Sequence, residues 1–128
     1  MLKKEDLPAT KAKHALSAGY RGYVDDFFKA SCKGSVAKSS KVCARKSAIN
    51  TFGGFPEGAV AGEDLYVWIQ LALLGPVACE MSYSCIVHQV TDNSRSSRKH
   101  SIPYPLIYFS KYPKTKRTKS LEKYLVVF

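Results

Sequence analysis

The run EDLYVWIQLALL, residues 63 to 74, constrains the fold of this chain more than any other stretch. Apolar residues at 65, 68, 69, 71, 72, 73 and 74 suit a helix buried over most of its circumference rather than one lying on a surface. Its limits are sharp. The loop PEGAVAG, residues 56 to 62, precedes it, and Gly75-Pro76 ends it, because proline cannot extend a helix and glycine tolerates the conformations that terminate one. At 128 residues and 14.2 kDa the chain is one domain at most, large enough to bury a real core around such a helix. Its hydrophobic share of 45% and charged share of 23% are those of a soluble globular protein.

The remaining segments are shorter. Residues 1 to 18 form a loose, lysine- and alanine-rich lead-in. GYRGYVDDFFKASCKG, from residue 19, alternates aromatic and polar residues without a period, which reads as irregular chain or a short helix around Val24 to Lys29. SSKVCARK, from residue 39, has the alternation of a strand, with Val42 and Ala44 on one side and Cys43 on the other. KSAINTFGGF reads as a short helix begun at or before Ser47 and stopped by Gly53 or Gly54. VACEM and CIVHQV read as two strands joined by a turn at Ser82 to Ser84. Residues 96 to 128 are a basic region with prolines and tyrosines, whose final EKYLVVF is the start of an amphipathic helix. The predicted fold class is α/β, a short mixed sheet with flanking helices over residues 19 to 95, and no internal repeat is visible.

The formal net charge of +10 favours acidic partners: nucleic acid, anionic lipid surfaces or phosphorylated small molecules. No apolar run approaches the roughly 18 residues that span a bilayer. The amino terminus has lysines but neither the apolar core nor the cleavage site of a leader, which points to the cytoplasm, with peripheral membrane attachment as a variant. Cys32, Cys43, Cys79 and Cys85 show no metal or haem spacing, so reduced, buried thiols are expected, with a Cys79–Cys85 link as the alternative. The basic region admits three readings: a solvated face, a patch for anionic lipid or a lipid-linked acceptor, or a nucleic-acid surface with Tyr104, Tyr108 and Tyr112 as stacking platforms. No RNA-binding signature accompanies those tyrosines, which disfavours nucleic acid.

Arg45, Gly53-Gly54-Phe55, Gly62-Glu63-Asp64, Trp68, His88 and Asn93-Ser94 follow one another in an order that resembles the carboxy-terminal half of the catalytic domain of family-2 inverting glycosyltransferases, which have the GT-A fold. The resemblance covers residues 36 to 95. Gln70 departs from it, standing where that family often has arginine. The donor-binding half is also missing, and with it the Asp-x-Asp metal motif; Asp25-Asp26 is adjacent, on an aromatic segment without an apparent preceding strand.

The resemblance implies transfer of a sugar from a nucleotide-sugar donor to an acceptor hydroxyl, with inversion. It makes Asp64 the general base and Glu63 its neighbour in the catalytic site, with Gly62, Trp68, Gly54 and Phe55 on the acceptor side. It implies a divalent ion, Mg or Mn, with His88 as a ligand, and a sugar or lipid-linked acceptor as partner. The chemistry suits a carboxylate at a helix amino terminus, where orphan N–H groups orient it and the helix dipole favours negative charge. The plainer alternative is that Glu63 and Asp64 only complement that dipole, an effect of about 0.3–1 kcal/mol each. Trp68, one turn after Asp64 and on the same helical face, is either a wall against a sugar ring or a core residue. His88 is likewise a metal ligand or a structural histidine. As half of a site, the isolated chain is expected to be inactive, and the exposed edge of a truncated sheet favours self-association. The alternative function is a non-catalytic basic module that binds anionic membrane or nucleic acid.

Overall fold

The structure, a computed structural model, describes residues 9–10, 20–34, 36–80, 101–113 and 116–127. The chain is mixed α/β. Its elements are β1 (Ala9–Thr10), β2 (Arg21–Val24), α1 (Phe27–Ser31), a 3-10 turn (Ser39–Lys41), α2 (Lys46–Asn50), α3 (Glu63–Leu74), β3 (Val77–Glu80), α4 (Tyr104–Ser110) and α5 (Lys119–Val126).

The sheet has the order β1-β2-β3, with β1 parallel and β3 antiparallel to β2, so it is small and mixed as expected. Strand β2 falls where irregular chain or a helix was predicted. In RGYV the residues Gly22 and Val24 are buried, while Arg21 is exposed, the period of two that a half-covered strand requires. Opposite them, Val24 pairs with Val77 and Gly22 with Cys79 on the covered face, while Arg21 faces Glu80 with 3.9 Å between Nε and Oε2. Strand β3 therefore takes β2 as its partner; the second strand expected at 85–90 lies outside the described residues.

A strand thus does precede Asp25-Asp26, contrary to the sequence reading. The carboxylate of Asp26 caps α1, its Oδ1 accepting from the Lys29 N–H at 2.9 Å. The helix consequently starts at Phe27, not at Val24, and buries Phe27, Phe28 and Ala30.

The strand expected in SSKVCARK does not form. Its first residues make the 3-10 turn, and Val42 follows with extended angles (φ −101°, ψ 135°) but no ladder partner among the described residues. Arg45 already serves as the N-cap of α2, so the alternation of small residues yields extended backbone too short to join a sheet.

Helix α2 ends at Asn50 with Thr51 as its C-cap, before the glycines expected to stop it; the chain then turns through Gly53 and Gly54 (φ +86° and +84°), and the Gly54 N–H bonds the Ile49 carbonyl at 3.1 Å. Helix α3 has the predicted limits, 63 to 74, and buries Tyr66, Val67, Trp68 and Ile69 in consecutive positions, so its middle turn is enclosed all round. Helices α2 and α4 pack on α3, and α5 packs on α1. The basic region beyond residue 96 therefore shares the core: Phe109 of α4 and Leu121 of α5 are fully buried beside Ile69. Each such side chain contributes about 1.5–3 kcal/mol relative to exposure. No described helix is long and apolar enough to cross a membrane.

Candidate functional site

The amino terminus of α3 is built by three separate segments. Its N-cap is Gly62, whose φ of +76° lies in the left-handed region and which has no side chain to close the helix. A Cβ at Gly62 would stand 3.0 Å from Cδ of Pro105 and 3.1 Å from Cβ of Pro103. The absence of a side chain is therefore what lets the start of α4 approach, and the Tyr104 N–H donates to the Ala61 carbonyl at 2.8 Å.

On this framework Asp64 is held by both carboxylate oxygens. Oδ1 accepts from the Leu65 N–H at 2.7 Å, satisfying one of the orphan donors of the helix start, and Oδ2 accepts from the Ser39 hydroxyl at 2.7 Å. Ser39 comes from the 3-10 turn. Tyr124 of α5 lies within electrostatic reach: burial pushes its hydroxyl up to about 12, and Cys32 and Asp64 add to that effect by their charge. A carboxylate offers about four lone-pair sites, so Asp64 retains acceptor capacity beyond its two bonds. Glu63 is exposed and makes no hydrogen bond or ion pair among the described residues.

Trp68 is 8% exposed and belongs to the core cluster, so its packing role is met. Its indole Nε1 has no hydrogen-bond partner among the described residues. Phe55 stands edge-to-face with it at 6.4 Å and is 51% exposed, so the aromatic surface open to solvent at this corner belongs to Phe55. Gly53 and Gly54 turn the chain from α2 into that position, both with positive φ. Burial raises the pKa of the Tyr66 hydroxyl, and Gln70, one turn on, acts in the opposite direction.

A cavity of about 950 Å³ opens on the other side of the 3-10 turn, between residues 36–45, the second half of α3 and β3. Trp68, Val42 and Leu71 form part of its apolar wall, and Lys38 and Lys41 part of its polar one. Neither Glu63 nor Asp64 lines it. Cys79 also faces this space, and burial pushes its thiol up, with Lys41 acting in the opposite direction.

The structure thus brings together Gly62, Glu63 and Asp64, and separately Gly54, Phe55 and Trp68. His88, Asn93 and Ser94 lie outside the described residues, as does Cys85. Among the described residues no three His, Cys, Asp or Glu side chains converge, so these residues do not form a cradle for the expected Mg or Mn. Ser39 and Tyr124 are the site residues that sequence reasoning missed. Neither belongs to a motif; each reaches Asp64 only through the tertiary fold. Comparison with protein-family models, curated proteins and solved structures finds nothing that matches this chain.

Proposed function

We propose that this chain is the acceptor-side, base-bearing part of an inverting glycosyltransferase of the GT-A type, with Asp64 as the general base. The observation that supports this reading is the way Asp64 is held: a carboxylate at the mouth of a buried helix, fixed through both oxygens by Leu65 and Ser39 and still able to accept. In the reaction, the acceptor hydroxyl oxygen attacks the anomeric carbon of the donor. The bond from that carbon to the nucleoside diphosphate breaks on the opposite side, and Asp64 takes the hydroxyl proton. Ser39 orients the carboxylate, and Glu63, exposed beside it, contacts the acceptor. Phe55, with Trp68 behind it, offers an aromatic edge to a sugar ring.

In this reading the donor-binding half is not among these 128 residues. Saturable binding of a sugar acceptor by the purified chain, compared with Asp64→Asn, tests the reading. Acceptor binding that Asp64→Asn leaves unchanged rules out Asp64 as the base.

A further inference from the structure

We propose that the 950 Å³ cavity beside β3 binds a single-chain amphiphile with an anionic head, a carboxylate or a phosphate ester. Its volume lies within the range of about 300–1,000 Å³ typical of small-molecule sites, and its lining has the usual division of such sites into an apolar wall and a few convergent polar groups. The wall includes Trp68, Phe27, Val42 and Leu71. A strongly hydrated polar ligand would lose water against that wall without recovering hydrogen bonds, whereas an alkyl chain gains from the same contact.

The charge at the cavity is one-sided. Lys38 and Lys41 flank the 3-10 turn, and the Lys41 N–H bonds the Lys38 carbonyl at 2.8 Å. That bond closes the turn between Lys38, its N-cap, and Lys41, its last residue. Both are exposed and both line the cavity. The carboxylate among the described lining residues, Glu80, stands beside Arg21 across the sheet and is offset there. An anionic head therefore meets two ammonium groups while its chain lies against Trp68. The site is concave, which suits a single chain rather than the flat face of a bilayer. It involves neither Asp64 nor Glu63 and does not depend on the transfer reading.

Trp68 is the single tryptophan of the chain, so its emission reports on this cavity directly. The test is a titration with dodecanoate and with dodecyl phosphate, each below its micelle concentration. Dodecanol, inorganic phosphate and vesicles containing phosphatidylglycerol serve as comparisons. The expected result is a saturable change in Trp68 emission with at least one dodecyl anion, and the tighter of the two identifies the head. Binding should be about tenfold weaker for dodecanol and for the Lys38→Glu, Lys41→Glu double variant, and inorganic phosphate should leave the emission unchanged. Both lysines are exposed, and circular dichroism confirms that the variant is folded. Lack of saturation with either anion, equal affinity for dodecanol, unchanged affinity in the double variant, or a response to vesicles alone would each overturn the assignment. The titration contains no sugar, so its failure leaves the transfer reading standing, and the converse also holds.

Discussion

The hydroxyl of Ser39 donates to Oδ2 of Asp64 at 2.7 Å, joining the 3-10 turn to the start of α3 across 25 residues of sequence. This bond ties the wall of the cavity to the mouth of the helix. Its two ends differ in kind: Asp64 is also held by its own helix, through the Leu65 N–H, whereas among the described residues the turn that carries Ser39 has no ladder partner.

Ser39→Ala should therefore loosen the turn while leaving α3 intact. The bond is exposed, so the expected loss in urea unfolding is about 0.5–1.5 kcal/mol, below the range of about 1.5–3 kcal/mol for a bond to a charged group. A double-mutant cycle with Asp64→Asn should show coupling of about 0.5 kcal/mol or more. Strict additivity would mean that the bond does not hold the two segments together.

Gly62 and Gly58 provide a matched pair. Both have positive φ, +76° and +73°, but a Cβ at Gly58 meets nothing within 4 Å, whereas one at Gly62 meets Pro105 and Pro103. Gly58→Ala is expected to cost about 1 kcal/mol from backbone strain, and Gly62→Ala about 3 kcal/mol, because α4 must shift as well. Thermal unfolding of the two variants measures the difference. Equal losses would show that the approach of α4 to α3 is not tight.

Arg117 holds the end of α4. Its Nε donates to the Tyr112 carbonyl at 3.1 Å, and its Nη2 donates to the carbonyls of Tyr112, at 2.6 Å, and Phe109. Phe109 belongs to the last turn of α4 and Tyr112 lies just past its C-cap, Lys111, so the guanidinium ties the helix end to the segment that follows it. Arg117→Ala should cost about 1–3 kcal/mol in urea unfolding. Arg117→Lys should recover little of it, since an ammonium group cannot reproduce the planar fork that spans both carbonyls.

Stability should fall at high pH through Tyr124. Its hydroxyl rises from 10.0 to about 12 on folding, chiefly because it is buried. Burial disfavours the charged form, so the unfolded chain releases this proton first. The contribution is fully present below pH 10 and is lost as pH rises from about 10 through about 12. Tyr124→Phe should flatten the fall over that window, measured by urea unfolding at successive pH values. An identical pH profile in the variant would show that Tyr124 is not the titrating group.

What the sequence revealed follows from where the signals sit. Helix α3 was legible to the residue because Gly62 and Gly75-Pro76 punctuate a continuous apolar run, whereas α2 was legible only in place, since it stops at Asn50, short of the two glycines expected to end it. Strand β2 was not, because Gly22 and Tyr23 hide a four-residue alternation that exists only through pairing with β3. The opposite error at 39–46 has the same origin: alternation suggests extended backbone, but a partner strand has to be supplied by the fold. At the site, the motif around Asp64 was visible, whereas Ser39 and Tyr124 were not, since nothing local marks a serine in a lysine-rich turn or a tyrosine near the chain end.

The most direct test of the base assignment is calorimetric titration of the purified chain with a panel of sugar acceptors, with Asp64→Asn and Ser39→Ala in parallel. Saturable binding of at least one acceptor is predicted, lost or weakened by about tenfold or more in Asp64→Asn and only modestly affected in Ser39→Ala, with both variants folded by circular dichroism. Absence of binding across the panel, or affinity that is the same in Asp64→Asn, would contradict the account of Asp64 as an acceptor-side base.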